Sequence, residues 1–145
     1  MSATSDVTIS DDDWGSLLHD LRGLLNPVWL PDVLAALSAG PRPYTGLLQS
    51  IRTAGTPRSR RWPRPIIRDA VLYRTLRWME QRGLVAHTRE RQFPFSASYR
   101  LTAAVQELLA LSIPLAEWAA RHEDLLELDR RARAQARIRR TNTPA

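Results

Sequence analysis

The chain has 145 residues with 43% apolar composition, enough for one domain with one core and little room for a second. It has no cysteine, which excludes disulfides, thiol redox sensing and cysteine-ligated zinc, and its net charge of +6 comes from arginine alone, without a single lysine. The charge is concentrated: residues 52–100 hold twelve arginines and three acids, whereas 1–51 hold two arginines and six acids. A polyanion, or a basic surface facing solvent, fits that middle third.

Charges or prolines break every apolar run well short of the roughly 20 residues of a membrane span. The polar, acidic start, MSATSDVTISDDD, is unlike a secretory signal, so the expectation is a cytoplasmic protein without a membrane partner.

Ser10 and Asp13 form a capping pair for a first helix over about 12–25, on which Trp14, Leu17, Leu18, Leu21, Leu24 and Leu25 recur at helical spacing. Asn26-Pro27 interrupts it. Pro31 suits the first turn of a second helix that buries Val33, Leu34 and Leu37 and stops at Gly40-Pro41. Thr45 is the expected cap of a short third helix carrying Leu47, Leu48 and Ile51.

From Arg52 to Pro65 one glycine, three prolines and five arginines predict an exposed loop. A basic helix follows and ends at Gly83, with Leu72, Leu76 and Met79 inside. VAHTRER and SASYRLT then read as two strands of a hairpin around QFPF, whose Phe93 and Phe95 fit turn packing better than wedges between bases. Helix resumes from Leu101 to about Arg121, kinked at Pro114, and continues through EDLLELDRRARAQARIRR. The arginine run from Arg130 to Arg140 reads as a solvated helical tail.

The order of helices, basic helix, basic hairpin and helix predicts a mainly α fold with a small β-hairpin, a winged helix-turn-helix. Ala70, Tyr73, Arg74 and Arg77 share one helical face opposite the apolar stripe. Arginine can bond guanine bidentately, tyrosine can reach phosphate or a thymine methyl, and alanine leaves room for close approach. Solvated arginines on a surface helix would show the same pattern, but the hairpin directly behind it favours base reading. Near the hairpin tip, beside Gln92, Arg89 and Arg91 would neutralise phosphates.

Trp29, Val33, Leu34, Leu37, Gly40-Pro41-Arg42 and Tyr44, then Thr75-Leu76-Arg77, Glu80 and Gly83-Leu84-Val85, then Pro94, Tyr99 and Leu101-Thr102 together resemble the HxlR-type winged-helix regulators over about 27–122. The resemblance implies a homodimer held by N- and C-terminal helices that binds an inverted-repeat operator in double-stranded DNA, usually as a repressor. Trp14, Leu17 and Leu21 with Leu115, Trp118, Leu125 and Leu128 supply apolar surface for such an interface. The expected organisation is 1–26 for dimerisation, 27–104 for the DNA-binding core and 105–145 for dimerisation plus a basic tail.

Two departures stand out: the N-terminal cysteine frequent in that family is missing, and the loop before the basic helix is longer and more basic, with Pro63 and Pro65 in the cap region. The candidate DNA contacts are Arg42, Thr45, Arg58, Arg60, Arg61, Arg64, Arg68, Ala70, Tyr73, Arg74, Arg77, Arg89, Arg91 and Gln92. Trp14, Trp29 and Trp118 are candidates for a pocket taking a small aromatic effector, though ordinary core packing accounts for them too. His19, His87 and His122 are far apart in sequence and there is no glycine-rich phosphate loop, so neither an enzyme, a metal nor a cofactor is expected. A regulator-like protein that binds another protein instead of DNA is the remaining alternative.

Overall fold

The computed structural model describes residues 8–54, 66–91 and 97–142. The chain divides into two compact units, Met1–Thr102 and Ala103–Ala145. The first carries helices α1 (Asp11–Leu24), α2 (Leu30–Leu37), α3 (Tyr44–Ala54) and α4 (Asp69–Gln81), and strands β1 (Arg42–Pro43), β2 (Val85–Arg89) and β3 (Ala97–Leu101). The second carries α5 (Ala103–Arg121) and α6 (Glu123–Thr141). No helix among the described residues is long and apolar enough to cross a membrane.

Ser10 is extended and caps α1 as expected: its hydroxyl accepts from the Asp13 N–H at 3.3 Å and donates to Asp13 Oδ2 at 2.5 Å. Asp11, Asp12 and Asp13 place negative charge on the positive end of the helix dipole. Despite its apolar stripe, α1 buries no residue. Pro31 occupies the first turn of α2, which turns Leu30, Val33, Ala36 and Leu37 inward, and Gly40 takes a φ of +135° before the chain enters β1.

Both ends of α3 differ from the sequence reading, and α4 and α5 begin at Asp69 and Ala103, later than expected after Pro65 and at Leu101. Thr45 is not the cap of α3, because the helix starts at Tyr44 directly after Pro43 and Thr45 lies inside its first turn. Arg52 is not in the loop either; no breaker precedes Gly55, so the stripe of Leu47 and Ile51 carries the helix on to Ala54. Beyond residues 55–65, Ile67 is buried, Arg68 is the extended N-cap and α4 begins at Asp69.

The end of α4 is closed by a left-handed glycine. Gly83 has a φ of +69°, its N–H bonds the Glu80 carbonyl at 3.1 Å and the Leu84 N–H bonds that of Met79 at 2.9 Å. This is the paired closure of a Schellman motif, with buried Leu84 and Met79 as its apolar partners. A Cβ at Gly83 would meet nothing within 4 Å, so Gly83→Ala should cost the left-handed backbone strain alone, about 1–2 kcal/mol. Urea denaturation should show this as a lower midpoint at unchanged slope.

β2 and β3 form the expected antiparallel hairpin, from Val85 opposite Leu101 to Arg89 opposite Ala97. β1 adds a third, edge strand in the order β1-β3-β2, pairing Arg42 with Tyr99 and Pro43 with Ser98. An edge accepts Pro43, which has no N–H to offer a second neighbour. Leu30, Val33, Leu37, Leu47, Ile51, Ile67, Leu72, Leu76, Met79, Leu84, Val85, Tyr99 and Leu101 make the core of this unit.

In the second unit α5 runs unbroken through Pro114, but the continuous helix expected beyond Arg121 is interrupted. His122 leaves helical geometry at φ −118° and ψ 41°. Its ring stacks on Trp118 at 4.5 Å, and Nδ1 lies 2.8 Å from the Trp118 carbonyl, a side-chain claim on the acceptor that the backbone ladder uses. Glu123 and Asp124 then open α6.

Candidate nucleic-acid interface

A helix turning 100° per residue separates α4 into two faces. Leu72, Leu76 and Met79 are fully buried, while Ala70, Tyr73, Arg74 and Arg77 are exposed, Tyr73 by 53%. The face predicted from the spacing therefore projects from a helix whose opposite side is locked in the core. Arg68 is exposed at the N-cap. Arg74 Nε donates to the Ala70 carbonyl at 3.3 Å, which uses one guanidinium donor and leaves the outer fork for another partner. Gln81, absent from the predicted face, is exposed one turn beyond Arg77 on the same side; the four-residue spacing was there to find it. Arg82 is engaged by its own helix, over the Trp78 ring at 4.0 Å and bonded to the Trp78 carbonyl at 3.3 Å.

Two side chains of α3 fix where α4 starts. Arg52 donates through Nε and Nη2 to the Ile67 carbonyl, at 3.2 and 3.1 Å, and its Nη2 lies 3.8 Å from Asp69. The Tyr44 hydroxyl donates to the Asp69 carbonyl at 2.9 Å. Burial and then the Asp69 carboxylate push the Tyr44 phenol above its ordinary value, so it stays a donor. Arg52 also offsets the acid in the first turn of α4, which would otherwise repel a polyanion approaching that end.

The hairpin stands next in the chain. His87 and Tyr99, opposite one another, stack with ring centres 4.3 Å apart and planes within 3°. Burial raises the Tyr99 phenol, as does Glu80 to a lesser degree. Arg89, Arg91 and Arg100 are exposed. One stacked pair thus stiffens a strand whose distal end carries cations.

The other candidates divide. Arg58, Arg60, Arg61, Arg64 and Gln92 lie outside the described residues. Arg42 is half-buried on β1 and its Nε donates to the Ala36 carbonyl at 2.8 Å, tying the strand to the last turn of α2. Thr45 is exposed in α3. Trp14 on α1 and Trp118 on α5 are 59% and 45% exposed, so core packing within the chain does not account for either; Trp29, the N-cap of α2, is half-buried.

Residues 44–126 match the family model described as HxlR-like helix-turn-helix. Among solved structures, the chain is similar to a protein described as a transcriptional regulator of the MarR family from Enterococcus faecalis V583, with 20% identity, a TM-score of 0.61, and coverage of 88% of this chain and 99% of that one. It is also similar to the reduced form of the transcriptional regulator YodB from B. subtilis, with 19% identity, a TM-score of 0.60, and coverage of 79% and 95%. The redox regulator HypR in its reduced form gives 19% identity and a TM-score of 0.57, over 76% and 96%. At these identities the structures bear on the fold, a winged helix-turn-helix. No curated protein matches the sequence.

Proposed function

Because the chain belongs to the HxlR-like helix-turn-helix family of transcriptional regulators, we propose that it binds double-stranded DNA sequence-specifically, as a homodimer on an inverted-repeat operator, and represses transcription there. The observation that carries this reading is the exposed row Ala70, Tyr73, Arg74 and Arg77, backed by the buried stripe of α4 and followed by a hairpin with Arg89 and Arg91 exposed. In this scheme α4 lies in the major groove, where Arg74 and Arg77 reach base edges and Tyr73 a phosphate or thymine methyl. Arg68, Arg89 and Arg91 neutralise phosphates, which fixes register without reading sequence.

The apolar surface that a single chain leaves open supports the proposed dimer. Trp14, Leu17 and Leu18 on α1, and Leu111, Leu115 and Trp118 on α5, are exposed at helical spacing. Rows of that kind are covered in soluble proteins by a partner, and a twofold pair of chains would present two α4 helices to two half-sites.

The test is binding of the purified protein to DNA from upstream of its own gene, against random duplex, at two salt concentrations. The expected result is preference for the upstream duplex, with affinity falling steeply as salt rises. Equal binding to all duplexes, or to none, would overturn sequence reading and leave a protein that acts on another regulator.

A further inference from the structure

The distal half of α6 carries more arginines than the helix has acids to answer. Residues 130–145 contain six arginines and no acidic residue. Arg130, Arg133, Arg137 and Arg140 recur at steps of three, four and three, a stripe about 15 Å long at 1.5 Å per residue. Short residues, Ala132, Ala134 and Ala136, lie between them and would let a partner approach the helix closely. No residue of α6 is buried, so packing does not explain these side chains. The family match stops at residue 126, before the stripe begins.

Charge complementarity decides what the stripe fits. A second α6 running antiparallel would offer its acidic first half, but three of those four acids, Glu123, Glu127 and Asp129, are engaged within their own helix. Glu123 and Glu127 hold Arg130 at 2.6 and 2.7 Å, Glu127 holds Arg131 at 3.0 Å, and Asp129 pairs with Arg133. These pairs lower the Glu127 carboxyl below its ordinary value, mainly through Arg131. Past Asp129 the helix has no further acid, while Arg137 and Arg140 stay exposed. A dense row of phosphates is the partner with charge to match.

We propose that the arginine stripe of α6, centred on Arg137 and Arg140, is a second, sequence-blind contact with the backbone phosphates of duplex DNA. It rests on the reading that the chain binds duplex DNA. Arginine's planar fork suits phosphate oxygens, and each neutralised phosphate releases counterions whatever the base.

The experiment uses the full chain and its R137Q/R140Q variant, measuring affinity against salt on the preferred duplex and on random duplex. Glutamine keeps helix propensity. The expected result is a slope of log affinity on log salt that is flatter by about 1.8 per chain bound, about 0.9 for each phosphate no longer neutralised, with discrimination between the duplexes unchanged. R137K/R140K should retain the slope. An unchanged slope in the glutamine variant overturns the proposal while the wild type's own preference leaves the main reading standing; no duplex binding by the wild type removes both. A flatter slope in the lysine variant as well would assign the arginines a structural role, and an effect confined to binding of phosphatidylserine vesicles would assign them a membrane surface; either result overturns the proposal.

Discussion

Arg74→Ala and Arg77→Ala should each weaken binding to the preferred duplex by about 1–3 kcal/mol, roughly 5- to 150-fold, and relax base preference at one position per half-site. Geometry sets this expectation. Both residues project from the side of α4 opposite three fully buried side chains, so alanine there takes nothing from the core and leaves the helix in place. Arg74 must also give up its 3.3 Å bond to the Ala70 carbonyl if it uses that donor on a base, so Arg77, which makes no such bond among the described residues, should show the larger loss. Arg91→Ala is the comparison: an exposed cation beyond the end of β2 should weaken every sequence alike and flatten the salt dependence by about one phosphate. Affinities of all three variants on the preferred and a singly substituted duplex decide the matter. Equal loss on both duplexes from all three would mean that α4 contributes charge and no reading.

The face of α4 was legible because a helix records its surroundings every three or four residues. Leu72, Leu76 and Met79 declared the inside, and the outward residues followed. The cap at Ser10 and the stop at Gly83 were legible for a similar reason, since each is a local solution to unpaired backbone groups. What the sequence hid depends on distant partners. β1 is two residues long, too short for any alternation, and is a strand because β3, more than fifty residues later, pairs with it. At the break, the His122 ring stacks on Trp118 and sets Nδ1 2.8 Å from the Trp118 carbonyl, an arrangement that no spacing announces.

Charge density had the same weakness. It pointed to a polyanion yet could not sort the arginines, and the structure does. Arg42 holds Ala36, Arg52 holds the Ile67 carbonyl, Arg82 lies over Trp78, and Arg130 answers Glu123 and Glu127. Each of these arginines already has a partner within its own chain, which composition alone does not register. Arg77 and Arg91 are exposed.

Leu115→Glu should abolish the proposed dimer without harming the chain that makes it. Leu115 is 66% exposed, so in a single chain glutamate removes an apolar group from water and suits a helix about as well as leucine does. In a dimer that covers this face, the same carboxylate would be buried without a partner at a cost on the order of several kcal/mol. Leu17→Glu on α1, where leucine is 50% exposed, applies the same reasoning to the other terminal helix. Sedimentation should then show a monomer with helicity unchanged, its thermal midpoint lower than the wild type's only by the stability that association adds. The loss should carry through to DNA, because two half-sites bound by one tethered pair gain roughly 10²–10⁴-fold in affinity over a single arm, and about that much should vanish although no DNA-facing residue was touched. A mass that stays dimeric in both variants would place the interface elsewhere; a chain that is monomeric from the outset would leave the exposed rows of α1 and α5 to a different partner and restrict operator reading to one half-site.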